Sequence, residues 1–209
     1  MRRIWWVSLA AAASVCLLPA QETPRFTFNA GAGFTTPVGA TSQRLDTGWN
    51  VDMGAGVNVN SVFGVMVQAN YSEMGVGSNV LSGLGFAGGS LNTWAFTLDP
   101  VVHLIPRSRA DVYVIGGGGL YHRTQEFTQP GVASFVGFDP FFGFYTADVP
   151  VQQVVASYTV NKPGVNIGMG VAFGGWRNAK FYAEARYHRI FVTSDRHTDY
   201  IPVTFGVRF

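Results

Sequence analysis

The 209-residue chain carries 26 Gly and 17 Phe, and only 12% of its residues are charged, for a formal net charge of +2. Soluble domains average roughly 25% charged residues, so a soluble surface would be unusually poor in charge, and no basic run interleaved with aromatics offers a face to nucleic acid. Beyond the amino terminus no stretch approaches the ~18 consecutive apolar residues of a membrane helix, which excludes a helical bundle in the bilayer.

Arg2 and Arg3 precede an apolar run from Ile4 to Leu18, and Pro19-Ala20 lead into Gln21-Glu22-Thr23-Pro24. Positive, apolar and small-residue regions in that order are expected to be a secretory signal, residues 1–20, cleaved after Ala20. The lone cysteine, Cys16, lies inside this run behind Val15, which is not the small residue a lipoprotein site needs. The mature chain, residues 21–209, is then expected to lack disulfides and thiolate chemistry.

From there the chain alternates with period two, the signature of strands whose successive side chains face opposite sides. In chain order the expected outward faces are Phe26 to Phe34, Trp49 to Val59, Phe63 to Tyr71 and Trp94 to Leu104. They continue with Tyr113, Ile115 and Tyr121, then Val165 to Phe173, Phe181 to Tyr187, and Ile201, Val203, Phe205, Val207 and Phe209. Pro100 removes a ladder donor, so a local bulge is expected there. Ser72 to Asn92 reads as a long loop, and Glu126 to Val160 as the longest irregular stretch. The Gly116–Gly119 run is not followed by a helical pattern, which makes it a poor phosphate loop.

This is an all-β reading with eight strands. Short links fall near Asn60, Arg107 and Gly175, and longer ones follow Phe34, Tyr71, Tyr121 and Tyr187. Short turns on one side, long loops on the other and aromatics at both ends of one face are features of a transmembrane antiparallel up-and-down barrel with two interfacial girdles. A secreted soluble sandwich remains the alternative.

The pattern, with the terminal aromatic Phe209, resembles the small eight-stranded outer-membrane barrels typified by the membrane domain of OmpA and by OmpX. The resemblance covers essentially all of residues 21–209, without the peptidoglycan-binding domain of full-length OmpA. It implies residence in the outer membrane among its lipids, and an assembly signal at Phe205, Val207 and Phe209 that the barrel-assembly machinery reads. It also implies a lumen charge network, for which Asp52, Asp99, Glu184, Arg186, His188 and Arg208 are the inward candidates. Eight strands leave an interior that side chains largely fill, so the network reads as structural, with a narrow gated pore as the alternative.

A second alternative is a barrel hydrolase acting on lipid. A strand-borne His with a Ser two residues on would be needed to activate the hydroxyl, but Arg189 and Ile190 follow His188. Ser194, Asp195 and His197 fall in an expected loop without a scaffold, so no catalytic residue is assigned and the chain is read as a non-enzyme. His103, His122, His188 and His197 lack metal-ligand spacing, and no metal or cofactor is expected. Phe135, Phe138, Phe141, Phe142, Phe144 and Tyr145 crowd one expected extracellular segment. Exposed contiguous apolar surface marks contact sites, so these residues are the candidates for an extracellular protein or surface ligand, and the function is read as structural, adhesive or interactive.

Overall fold

A computed structural model describes residues 25–106, 108, 110–176, 179–193 and 196–209. The expected signal segment, and with it Cys16, lies outside the described residues. The elements run β1 (Phe26–Pro37), a 3-10 turn (Gly39–Thr41), β2 (Gly48–Asn58), β3 (Phe63–Gly75), α1 (Ser78–Leu84), β4 (Gly88–His103), β5 (Ala110–Asp139), β6 (Gly143–Trp176), β7 (Ala179–Phe191) and β8 (His197–Arg208).

Each strand pairs with its sequence neighbour, and β8 pairs antiparallel with β1, so the sheet closes into an eight-stranded barrel. Closure satisfies the edge groups that an open sheet would leave unpaired. The seam extends past β8: Phe209 donates its N–H to the Phe28 carbonyl at 2.8 Å and accepts from the Phe28 N–H at 3.1 Å. Longer links and the β5–β6 hairpin gather at one end, and the tight turns at the other. At one of these turns Asn60 Oδ1 accepts from the N–H groups of Val62 and Phe63, both at 2.8 Å.

Alternation places apolar side chains on the outside of seven strands as expected. Met53 is 60% exposed, Val67 61% and Met169 64%, in the middle of a surface that carries almost no charge. Toward the loop end Trp49, Tyr71 and Trp94 touch in sequence, with ring centroids 5.2 and 4.9 Å apart. Toward the turn end Phe26, Phe63, Phe173, Phe181 and Phe209 stand exposed. Two aromatic levels around an aliphatic band suit a bilayer with its two interfaces.

The fifth strand corrects the sequence reading. Tyr113, Ile115 and Tyr121 are fully buried in the lumen, and Leu120 stands 66% exposed on the outside. Both faces of this strand are apolar enough to meet lipid, and the lumen needs the bulk and the phenolic donors. Room for those rings comes from glycine on the neighbouring β6. A Cβ at Gly164 would stand 2.6 Å from the Tyr121 ring, and one at Gly170 closer still to the Tyr113 ring.

Three further expectations change. Pro100 causes no bulge: the β4–β5 pairing keeps one register from Leu98↔Gly118 to Val101↔Ile115, with two rungs missing between them. Pro100 has no N–H to donate, and here the ladder lapses over two rungs while its register holds. The loop expected from Ser72 to Asn92 is shortened from both ends, since β3 continues to Gly75 and β4 begins at Gly88. The stretch from Glu126 to Val160 is a continuous antiparallel hairpin, paired from Glu126↔Ser157 to Asp139↔Gly143 with one register shift at Phe127/Thr128.

Candidate functional site

The lumen is built in layers. At its centre, Arg186 on β7 donates from Nη1 to Asp99 Oδ2 on β4 at 3.0 Å and from Nε to Glu184 Oε1. Glu184 Oε2 also accepts from the Tyr113 hydroxyl at 2.8 Å, and Arg208 Nη2 lies 3.7 Å away. Asp99 further accepts from Thr97 Oγ1 at 2.6 Å and Asn166 Nδ2 at 2.8 Å. The Arg208 guanidinium stacks 4.2 Å from the centre of the Tyr113 ring. These groups are almost fully buried, and burial of charge is tolerable only with such partners.

Of the six residues expected in the network, Asp99, Glu184, Arg186 and Arg208 meet there. Asp52 lies beside them but is held by neutral donors, the Tyr182 hydroxyl and Asn29 Nδ2, the latter at 3.1 Å. His188 sits apart in an aromatic layer. Its Nδ1 is 3.0 Å from the Tyr121 hydroxyl, and its ring stacks on Tyr200 at 5.0 Å. Period-two alternation put these side chains in the lumen but said nothing of their height, which the strand stagger of the barrel decides.

Tyr113, Tyr121 and Tyr200 are interior side chains that the sequence reading does not place inside, while Tyr182 falls inward by parity but is not among the residues expected in the network. For Tyr182 the signal was present, because it falls inward between Phe181 and Ala183 on a clearly alternating strand.

Little space is left. A cavity of about 10 Å³ lies between Asp52, Gln68, Thr97, Glu184, Arg186 and Thr204, room for roughly one water. Above it, Leu45, Met74, Val76, Leu91, Ile190 and Tyr200 form a buried apolar cluster, backed by Val80 and Leu81 of α1. This cluster closes the loop end. The turn end is more open, with a cavity of about 90 Å³ bounded by Asn58, His103, Asp111, Lys180 and Arg208, where His103 Nδ1 lies 2.6 Å from Asp111 Oδ2.

Of the proposed hydrolase residues, Ser194 and Asp195 lie outside the described residues. His197 Nε2 sits 3.3 Å from Asp199 Oδ2, which also accepts from Arg189. Among the described residues no group of three or more His, Cys, Asp or Glu side chains could hold a metal ion.

The largest departure from a smooth barrel is the β5–β6 hairpin. The pairing of β5 with β4 ends at Thr128, and that of β6 with β7 ends at Gly164. Beyond these rungs a two-stranded ribbon continues alone to its turn, roughly 35 Å past Thr128 at 3.2–3.4 Å per residue. Phe141 and Phe142 at the apex are 90% and 89% exposed. Phe138 and Phe144 pair across one face at 5.1 Å, while Phe135 and Tyr145 pair across the other at 6.4 Å. The six aromatic contact candidates therefore do come together, on a tip rather than in an irregular loop.

The model of the outer membrane protein beta-barrel domain matches residues 7–209. No curated protein matches the chain. Among solved structures, Neisserial surface protein A (NspA) is similar at 14% identity and a TM-score of 0.56, with 88% of this chain and 95% of that one covered. The outer membrane protein OprG from Pseudomonas aeruginosa is similar at 12% identity and a TM-score of 0.51, covering 88% of this chain and 95% of that one. A major outer membrane protein from Thermus thermophilus gives 12% identity and a TM-score of 0.51 over 88% of this chain and 97% of that one. At such identities the likeness is one of fold, and it agrees with the closed sheet, the aliphatic belt and the polar lumen. The chain belongs to the outer membrane protein beta-barrel domain family and is an integral outer-membrane β-barrel.

Proposed function

We propose that this barrel is an adhesion or interaction protein of the outer membrane, with the β5–β6 hairpin as its contact surface and the lumen network as its structural core. The observation that carries this reading is the aromatic tip, where Phe138, Phe141, Phe142 and Phe144 are 64% to 90% exposed at the end of a ribbon whose contact with the β3–β4 connection is near its base, where Gln129 Nε2 donates to the Gly85 carbonyl at 3.2 Å. Isolated two-stranded ribbons are marginally stable in water, and contiguous apolar surface outside a membrane is costly unless something covers it. The packed lumen speaks against the gated-pore alternative, since solute passage would require both opening of the ion pairs and displacement of the apolar cluster above them.

Biogenesis follows the same reading. Residues 1–20 export the chain, and Phe205, Val207 and Phe209 present the outward stripe that the assembly machinery reads.

The test is surface display of the intact barrel and of a variant in which Phe135–Tyr145 is replaced by a short turn. The intact barrel should retain cells on protein- or lipid-coated supports, and the shortened one should not while remaining heat-modifiable on gels. Equal retention by both would remove the hairpin from the function.

A further inference from the structure

We infer that the hairpin tip is a lipid-inserting element that enters the interface of an apposed bilayer. This rests on the hairpin being the contact surface, and names what it contacts.

Two features of the tip lead to a bilayer rather than a protein groove. Its aromatics surround the ribbon: Phe138 and Phe144 on one face, Phe135 and Tyr145 on the other, Phe141 and Phe142 at the apex. Docking against a protein surface would cover one face and leave the other in water. Immersion covers both faces at once. The turn also satisfies its own backbone. Pro140 has no N–H, and Asp139 Oδ1 accepts from the N–H groups of Phe141 and Phe142 at 2.7 and 3.0 Å. Unpaired backbone donors oppose entry into a low-dielectric layer, and at this apex two are already paired within the turn, to the carboxylate whose own desolvation they offset. Gly143, at φ +80°, takes the left-handed conformation that closes the turn.

Charge narrows the surface further. From Thr124 to Asn161 the chain contains Glu126, Asp139 and Asp148 and neither Lys nor Arg. A ribbon of this sign gains nothing from anionic headgroups or acidic polysaccharide, so its affinity comes from apolar burial at a zwitterionic surface. Immersion to the level of Tyr145, two rungs back from the last pair Asp139↔Gly143, corresponds to roughly 10 Å, the depth to which amphipathic elements sit at the headgroup and acyl boundary. Phe135 stands two rungs further out, at the edge of that layer. The ribbon leads away from the barrel's own aromatic belt at Trp49, Tyr71 and Trp94, which makes the target bilayer a second one.

The experiment places the full barrel in nanodiscs and mixes it with phosphatidylcholine vesicles. The barrel should float with the vesicles, and raising the salt should not release it. The F141S/F142S variant should lower the partition coefficient by roughly tenfold or more, because the transfer of apolar side chains from water supplies the affinity. In an F142W variant, brominated lipid confined to the vesicles should quench the introduced indole, since Trp49 and Trp94 belong to the nanodisc bilayer and Trp176 ends β6 at the opposite, turn end of the barrel. Absence of flotation, equal flotation of F141S/F142S, or an unquenched indole in F142W would each overturn the inference. If flotation fails while the shortened hairpin still abolishes cell retention, a protein partner replaces the bilayer and the adhesive reading stands. If flotation succeeds while retention survives the shortening, the adhesive reading fails and lipid insertion stands alone.

Discussion

Arg186 reaches across the lumen from β7 to Asp99 on β4, with Nη1 3.0 Å from Oδ2, joining two strands that share no backbone ladder. The same guanidinium holds Glu184, so one cation offsets two buried carboxylates. Removing it leaves Asp99 without a cation and Glu184 with only Arg208, 3.7 Å away. Arg186→Met is expected to destabilise the barrel by about 3–5 kcal/mol, read from urea unfolding in phospholipid vesicles. A change within about 0.5 kcal/mol, the range of a surface substitution, would leave the cluster without a structural role.

The outer surface should be intolerant of charge. Val67→Arg and Met169→Arg, at positions 61% and 64% exposed on the aliphatic band, should each cost about 2–4 kcal/mol if near the bilayer midplane. Refolding titrations that match the parent would mean this surface does not meet lipid.

The orientation of β5 has its own test. Nitroxides at Val114 and Leu120 should be accessible to molecular oxygen dissolved in the bilayer, because these residues face outward while Tyr113 and Tyr121 fill the lumen. Labels shielded at both positions would restore the opposite face.

Tight packing of tyrosine against glycine predicts a cost for even a methyl group. In Gly206→Ala the added Cβ would crowd the Tyr182 ring and the neighbouring β1 backbone. Overpacking of this kind costs about 1–3 kcal/mol, and it would move Tyr182 away from Asp52. An unchanged unfolding midpoint would show that the lumen relaxes more readily than its packing implies.

Deleting Phe209 removes both hydrogen bonds that seal the β1 side of the seam at Phe28, together with an outward aromatic of the turn-end girdle. The heat-modifiable fraction recovered from outer membranes should fall. Wild-type yield would take Phe209 out of the assembly signal.

Much of this architecture was legible in the residues themselves. Strict alternation along β8, from Ile201 to Val207, and along β2, from Trp49 to Val57, forces one apolar and one polar or small face, and only a closed barrel in lipid turns the apolar face outward on every strand. The inward placement of Asp99, Glu184, Arg186 and Arg208 followed from the same parity.

Where both faces of a strand are apolar, parity loses its meaning, and tertiary structure decides. On β5 the sequence offers Val112, Val114 and Leu120 against Tyr113, Ile115 and Tyr121, and hydropathy alone does not separate them. The choice is made by Glu184, on β7 across the lumen, which takes the Tyr113 hydroxyl, and by the space that Gly164 and Gly170 leave for the rings. The hairpin was hidden for a related reason. Phe135, Phe138, Phe144 and Tyr145 occupy both faces, so the segment has no periodicity, and its strand character comes from cross-strand pairing. Chain order and alternation determined a barrel in a membrane. Which side chains meet inside it, and that its longest connection stands as an aromatic-tipped ribbon, were decided by contacts between strands far apart in sequence.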